Sequence, residues 1–555
     1  MRKVVALGIS EFEDIIQRNV FYVDKTSFIR DWYNSADQVT LITRPRRFGK
    51  TLMLSTVETF FSNRYANRSD LFKGLSIWES DTFRSMQGTC PVINLSLADV
   101  KEDNYPAMIE KMKRLMSALY LRHEYLLDSN RLNPAEKRAI RSIIDQTASD
   151  AECREAILRL SGYLCRHFGR KTIILIDEYD TPMLESYTNG YWEDAIRYIR
   201  RLFHAAFKDN PYMERGLMTG ITRITQESIF SDLNNLRVIT TTSERYETCF
   251  GFTEKEVFSA LEQYGLAAHK DKVKYWYDGF MFGKQNGIYN PWSIINFLSE
   301  KAFKPYWMNT SGNELVGSLV REGSLKVKND FEILLKDGSI VTEIDESITY
   351  AELRGDSTTI WSWFLATGYV KIIRQLDDRY EIKLTNHEIR ETFYKLVKKW
   401  FSGASDEYTD FVRMLLDGNL TGMQRYMEKV TLQTFSYFDV GKISTDSDRA
   451  EQFYHGFTLG LIADLNRTHI LTSNRESGFG RYDVSIEPRD RTKDGILIEF
   501  KVFDPGKENT LEDTAKRALK QIKEKHYEAD MRMRGIQTIR KYGFAFRGKE
   551  VLICE

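Results

Sequence analysis

Two apolar runs that end in charged chemistry, VTLITRP (39–45) and KTIILIDEYD (171–180), constrain this 555-residue chain more than any other feature. The first runs into RRFGKT (46–51). Its close, Gly49-Lys50-Thr51, matches the end of the phosphate-loop pattern G-x-x-x-x-G-K-[ST]. The beginning does not match, because Arg44-Pro45 stands where the first glycine belongs, and proline holds φ at about −65°. The turn out of the strand must therefore follow another backbone path, while the end that would meet phosphate is intact. The second run places Asp177 and Glu178 at the end of four apolar residues, IILI. An aspartate there can hold the water shell of magnesium, and the next glutamate can orient an attacking water. Each half alone is a common accident, a basic turn or an acidic strand end. Together they point to a nucleotide site.

The rest of the N-terminal half supplies the frame such a site needs. TLMLSTVETFFSN carries apolar residues at helical spacing, and CPVINLSL (90–97) reads as a strand. A polar helical region covers 104–168, and YWEDAIRYIRRLFHAAF is a helix leading to the strand GLMTGITRI (216–224). Strands alternating with helices predict an α/β domain around a mostly parallel sheet. From Thr253, which opens the capping-box pattern T-E-K-E, the chain turns helical through VKYWYDGFMFG to YNPWSIINFL. Residues 310–440 read as mainly helical. There a β pair in YVKIIRQLDDRYEIKLTN lies between two helices, so the segment is either a small winged-helix-like module or a helical connector with one hairpin.

Within the predicted nucleotide site, Gly49 permits close backbone approach, Lys50 reaches the β- and γ-phosphates, and Thr51 meets magnesium. The arginines Arg44, Arg46 and Arg47 either add charge around a triphosphate, face a neighbouring subunit of a homo-oligomer, or form a solvated turn. The last is the simplest reading.

VDKT (23–26), TRPRRFGKT (43–51), ILIDEYD (174–180), TGITRI (219–224) and SIFSDLNNL (228–236) resemble the motifs of the AAA-ATPase-like family of bacterial proteins. That family belongs to the P-loop NTPases and shows the same arginine-for-glycine loop. The resemblance continues through ERYETCFGFTEKEV (244–257) as far as residue 310. It implies ATP and Mg²⁺ as cofactors, with Thr219 in the place of a γ-phosphate sensor and Arg223 as a second candidate beside it. A structural salt bridge explains Arg223 equally well. Asp24 and Lys25 either hold the base side of the nucleotide or brace the sheet.

Near the C-terminus, GRYDVSIEP and ILIEFKVF flank the polar turn RDRTKDG and read as a hairpin. Asp483 lies on the first strand. Glu499 and Lys501, two apart, share one face of the second. Two carboxylates converging from neighbouring strands can hold Mg²⁺ or Mn²⁺, and a lysine beside them can activate the water that attacks a phosphodiester. With the helix EQFYHGFTLGLIADL before and DTAKRALKQIKEKHYEA after, the order helix, strand, strand, helix, strand resembles the PD-(D/E)xK nuclease superfamily. It is similar above all to the version attached to AAA-ATPase-like proteins, which also closes on a strand like YGFAFRGKEVLI. Tyr482 stands where the proline of that name would be. The resemblance implies a further metal-side acid at Glu451 and substrate contacts at Gln521 and Tyr527. Helix N-terminal charge and plain packing are the structural alternatives for Glu451 and Tyr527. Lys516, Arg517, Lys520, Lys523, Lys525, Arg532 and Arg534 either track a phosphate backbone or form a solvated face.

Composition narrows the class. Lys plus Arg equals Asp plus Glu, 79 each, so no broad basic surface is expected and any nucleic-acid contact must be local. Five scattered cysteines without C-x-x-C argue against zinc and disulfides and suit a reducing cytoplasm, and no run is long enough for a membrane span. The expected domains are 1–252 (ATPase core), 253–310 (helical lid), 311–445 (helical middle) and 446–555 (nuclease-like). The expected function is an ATPase fused to a metal-dependent nuclease, acting on DNA rather than RNA, in defence or on mobile elements. Its rivals are an ATP-controlled signalling switch and a remodeller whose C-terminal domain binds without cutting.

Overall fold

The computed structural model describes residues 3–223, 230, 233–307, 316–317, 319–320, 324–345, 357–401, 407–428, 460, 465, 468–477, 480–506, 508–524, 528–547 and 550–555. They belong to two compact units, Met1–Asn309 with Val341–Glu388, and Thr310–Ile340 with Ile389–Glu555. Among the described residues no helix is long and apolar enough to cross a membrane.

The first unit is built on five parallel strands: β1 (Val39–Thr43), β2 (Val92–Ser96), β3 (Thr172–Asp177), β4 (Met213–Gly220) and β5 (Leu236–Ile239). Their order is β2-β3-β4-β1-β5. Every residue of β1 and β3 is buried, which explains why VTLIT and TIILID are continuous apolar runs rather than alternating ones: helices cover both faces. One of these helices, Trp192–Phe207, buries Ala195, Ile199, Leu202, Phe203 and Ala206, a stripe at helical spacing. Because β4 lies between β1 and β3, the loop strand and the acidic strand are not neighbours. The registers Ile42↔Thr219 and Ile176↔Met218 bring the C-terminal ends of all three level. The strand expected over 216–224 ends at Gly220.

Thr253 caps the helix Glu254–Gln263 with the expected box, its hydroxyl accepting from Glu256 N while the Glu256 carboxylate accepts from Thr253 N. The expectation of continuous helix through WYDGFMFG fails. On either side of the helix Lys270–Tyr277 in sequence, the strands β6 (Phe252–Thr253), β7 (Phe280–Phe282) and β8 (Gln285–Tyr289) form an antiparallel sheet in the order β6-β8-β7. Gly283, at φ 55°, makes the turn, and Phe280 and Phe282 alternate into the core with the period of a strand. Further on, β9 (Ile340–Thr342) joins a hairpin of β10 (Val370–Leu376) and β11 (Arg379–Leu384), set in sequence between the helices Ser357–Thr367 and His387–Phe401.

The second unit carries a mixed sheet in the order β12 (His469–Ser477), β13 (Gly480–Pro488), β14 (Gly495–Val502), β15 (Ile539–Arg547), β16 (Glu550–Cys554). Only the β14–β15 pair is parallel. Two strands were missing from the expected order. HILTSNRES adds β12 as a partner for β13, and YGFAFRGKEVLI, taken as one strand, is the hairpin β15–β16. The helix Leu511–Glu524 lies on this sheet, where Leu519 and Ile522 join a core with Leu497, Met531 and Ile536. At Gly543 a Cβ would come within 2.5 Å of Ala515 O, so only glycine permits this close approach.

Candidate functional sites

The turn after β1 puts three consecutive charged positions in three different environments. Arg44 is fully buried, donating from Nη1 to Thr43 O at 2.8 Å and Thr240 O at 2.7 Å. Its guanidinium lies 4.6 Å from the Phe282 ring centroid. The solvated-turn reading is wrong for this residue: a planar cation between rings and carbonyls closes the turn by binding the chain beyond β5. Arg46 offers its carbonyl, which accepts from Asn290 Nδ2 at 3.2 Å and Trp307 Nε1 at 3.0 Å. Arg47 is exposed, sits at φ 64°, and stacks its guanidinium 3.7 Å from the Trp292 ring centroid.

Gly49 then adopts φ 82°, and a Cβ built there meets nothing within 4 Å, so glycine serves conformation rather than space. It precedes the helix Lys50–Phe61. Lys50 is 6% exposed, and its ammonium donates back to Arg44 O at 2.8 Å and Pro45 O at 2.9 Å. Burial pulls its pKa below the ordinary lysine value, against the opposing fields of Glu178, Asp177 and Asp180. The first turn of this helix faces the acidic strand. Thr51 Oγ1 donates to Asp177 Oδ2 at 2.6 Å, and Thr219 Oγ1 donates to Asp177 Oδ1 from the strand between. Glu178 N also donates to Asp177 Oδ1, at 3.0 Å. Glu178 itself is at φ 48° and accepts from Thr181 Oγ1 at 3.2 Å.

The last acid of IDEYD has a different task. Asp180 is buried, and its Oδ2 accepts from Ile221 N, Thr222 N and Thr222 Oγ1 at 2.9, 2.9 and 3.1 Å, tying the end of β3 to the end of β4. Arg223 follows this tie, with its Nε buried. The VDKT residues brace: Asp24 accepts from Thr26 N and Ser76 N, and Lys25 bonds Thr248 O and the Glu256 carboxylate. Beside Gly49, Leu52 and Thr56 opens a cleft with mostly apolar walls, including Phe21, Phe252 and Ile295.

In the second unit Glu499 is 1% exposed, and its Oε1 accepts from Lys501 Nζ at 2.9 Å and from Gln521 Nε2. Glu499 and Gly543 are register partners across β14–β15. The missing side chain at Gly543 lets the helix lie close enough for Gln521 to reach the acid. Asp483 is on β13; one step beyond the pair Val484↔Ile498, the register count sets its backbone level with Glu499. Glu451, Tyr527 and Lys525 lie outside the described residues. Among the described residues no group of three or more His, Cys, Asp or Glu side chains converges. The basic residues of this region are largely paired: Lys516 with Glu512, Arg517 with Glu508, Lys520 with Glu524 and Arg534 with Glu487. This is the solvated, acid-interspersed face rather than a free basic stripe.

Sequence reasoning missed the residues that hold the loop from outside, Asn290, Trp292 and Trp307. The NPW of YNPWSIINFL does announce a helix start, with Asn290 as N-cap and proline at the first helical position. Nothing local shows that Trp292 and Trp307 meet Arg47 and Arg46.

Comparison with known proteins agrees with this division of the chain. A family model described as predicted AAA-ATPase matches residues 6–230, and one described as PD-(D/E)XK nuclease superfamily matches residues 449–555. The chain is also similar to a protein of Azotobacter chroococcum mcd 1, described as an uncharacterized protein in the vnfD 5' region. The two are 23% identical over 545 residues, 96% of this chain and 95% of that one.

Proposed function

Because the chain carries an AAA-ATPase-like domain followed by a PD-(D/E)XK nuclease-superfamily domain, we propose that it hydrolyses ATP with Mg²⁺ and uses nucleotide state to license metal-dependent cleavage of nucleic acid, DNA in preference to RNA. The observation that carries the nucleotide half is the convergence of Thr51 and Thr219 on the single carboxylate of Asp177, beside the Gly49-Lys50 turn. In this reading the backbone at Gly49 and the Lys50 ammonium take the phosphates, and Arg47 and Arg223 add charge at the rim. Thr51 and Asp177, both oxygen donors, suit Mg²⁺, which would neutralise charge on the phosphate oxygens. Thr219 reports on the γ-phosphate, and Glu178 orients the water. The base lies in the apolar cleft lined by Phe21, Phe252 and Ile295.

The nuclease half rests on Glu499, a buried carboxylate held by Lys501 and Gln521. With Asp483 level with it across the strand pair, the donors again suit Mg²⁺ or Mn²⁺, with Glu451 as a further acid. The metal would polarise the scissile phosphate, while Lys501 positions the water and Gln521 orients Glu499. The setting we propose is cytoplasmic, in defence or against mobile elements.

Two substitutions in the full chain test the two halves. Lys50→Ala should weaken ATP binding by about 100-fold or more, since the phosphates lose the buried ammonium beside Gly49. An unchanged affinity overturns the nucleotide reading. Lys501→Ala should abolish Mn²⁺-supported cleavage of a mixed DNA substrate, and a wild-type chain that cuts neither DNA nor RNA with Mg²⁺ or Mn²⁺ overturns the nuclease reading.

A further inference from the structure

Glu388 is among the most deeply buried acids of the first unit, 1% exposed, and lies at the start of the helix His387–Phe401. Both of its oxygens accept hydrogen bonds. Oε1 takes Trp307 N at 2.8 Å, and Oε2 takes Ser293 Oγ at 2.8 Å. Ser293 lies in the first turn of the helix Pro291–Glu300, and Trp307 lies in the irregular segment after that helix, which Trp292 Nε1 also ties back to it by donating to Tyr306 O at 3.1 Å.

What the two partners share is the loop after β1. Trp307 Nε1 donates to Arg46 O at 3.0 Å. The helix that carries Ser293 also carries Trp292, on which Arg47 stacks, and its N-cap Asn290 donates to Arg46 O at 3.2 Å. Thus Asn290 and Trp292, both within three residues of Ser293, and Trp307 itself hold the Arg46 carbonyl and the Arg47 guanidinium. Glu388 spans these two anchors. A turn with a non-glycine residue at φ 64° needs such support, because that conformation is uphill for arginine and must be imposed by its surroundings.

We infer that Glu388 is a positioning residue for the phosphate loop: its carboxylate sets Trp307 and Ser293 against each other, and these hold the Arg46-Arg47 turn in the shape that presents Gly49 and Lys50. The inference rests on the phosphate-loop reading above and adds a residue remote from the loop in sequence. Removing the carboxylate leaves the Trp292–Tyr306 hydrogen bond to hold the two anchors together, and the outer wall of the loop loosens while β1 and the helix Lys50–Phe61 remain.

The test compares ATP with adenosine, because a residue that positions the phosphate loop affects only the ligand that carries phosphates. Binding is measured by calorimetry on the full-length wild type and on Glu388→Ala, Glu388→Gln and Trp307→Phe, each checked for native circular dichroism. Glu388→Ala and Trp307→Phe should each weaken ATP by about 10-fold or more and leave adenosine within about 2-fold, as expected when a supporting shell is loosened. Glu388→Gln should recover most of the loss, since an amide keeps an acceptor for Trp307 N and can donate to the Ser293 hydroxyl. If Glu388→Ala does not fold, Trp307→Phe carries the test, because it removes the hydrogen bond to Arg46 O through which Glu388 acts. Unchanged ATP affinity in folded Glu388→Ala or Trp307→Phe, or parallel loss of ATP and adenosine, overturns the inference and leaves the nucleotide reading standing. A wild-type chain that binds no ATP overturns the phosphate-loop reading and this inference with it.

Discussion

Arg44 shows how far a single residue can depart from what its motif suggests. By pattern it is a defect, an arginine where a phosphate loop has glycine. In the structure it is a buried clamp between Thr43 O and Thr240 O, under the ring of Phe282. Restoring the pattern by Arg44→Gly should therefore destabilise the protein, by about 2–4 kcal/mol in urea unfolding, because buried carbonyls lose their donor and a cavity opens. Arg46→Ala keeps its backbone carbonyl and should stay within about 0.5 kcal/mol. Glu388 supplies a pH signature at the same scale. Burial raises its pKa from 4.5 to about 7, against the hydrogen bonds of Trp307 and Ser293 that favour the charged form. Because the folded state holds this proton more tightly than the unfolded chain, its contribution is full below pH 4.5 and is lost as pH rises to 7. The loss amounts to about 3 kcal/mol. Glu388→Gln should flatten that part of the stability-against-pH curve, and an unaltered slope would mean another group titrates.

At the scale of elements, the level ends of β1, β4 and β3 build the candidate nucleotide site, and the close contact of Tyr179 with Gly220 keeps them level. A Cβ at Gly220 would lie 2.5 Å from the Tyr179 ring, whose hydroxyl is committed to Thr222 O at 2.7 Å. Gly220→Ala should cost about 1–3 kcal/mol by overpacking, and should weaken ATP binding as Thr219 is displaced from Asp177. Thermal unfolding and a nucleotide titration read the two effects separately. In the second unit the corresponding glycine is Gly543, which admits the helix bearing Gln521. Gln521→Ala should slow Mn²⁺-supported cleavage by about 10-fold while Lys501→Ala abolishes it, since Gln521 only orients Glu499. Equal losses would place Gln521 in direct contact with the substrate. Elements were read from sequence where their signal was strong: the all-buried strands β1 and β3, and the capped helix at Thr253. The sequence favours helix over YWYDGFMFG, where the structure has the strand β7, because the stretch is short and rich in aromatics. Periodicity over three residues of strand is no clearer than one turn of helix.

For the whole molecule, two units with separate candidate chemistries predict separable phenotypes. Lys50→Ala should remove ATP turnover and any stimulation of cleavage by ATP, yet leave basal Mn²⁺-supported cleavage. Lys501→Ala should do the reverse. Loss of ATP turnover in Lys501→Ala would contradict the assignment of one chemistry to each unit. The α/β class, the alternating strands of the first unit, and the contiguous motifs GKT, IDEYD and E-x-K are legible in the chain because each is a short-range pattern in the identity and spacing of neighbouring residues. The individual fates of the charged residues depend on tertiary contacts. Arg44, Arg46 and Arg47 fall within four residues of one another and are chemically alike, yet one is buried, one is used through its carbonyl and one is stacked in the open. Burial and partners are settled by segments distant in sequence, Thr240 for the first, Trp307 for the second and Trp292 for the third, and no local pattern carries that information.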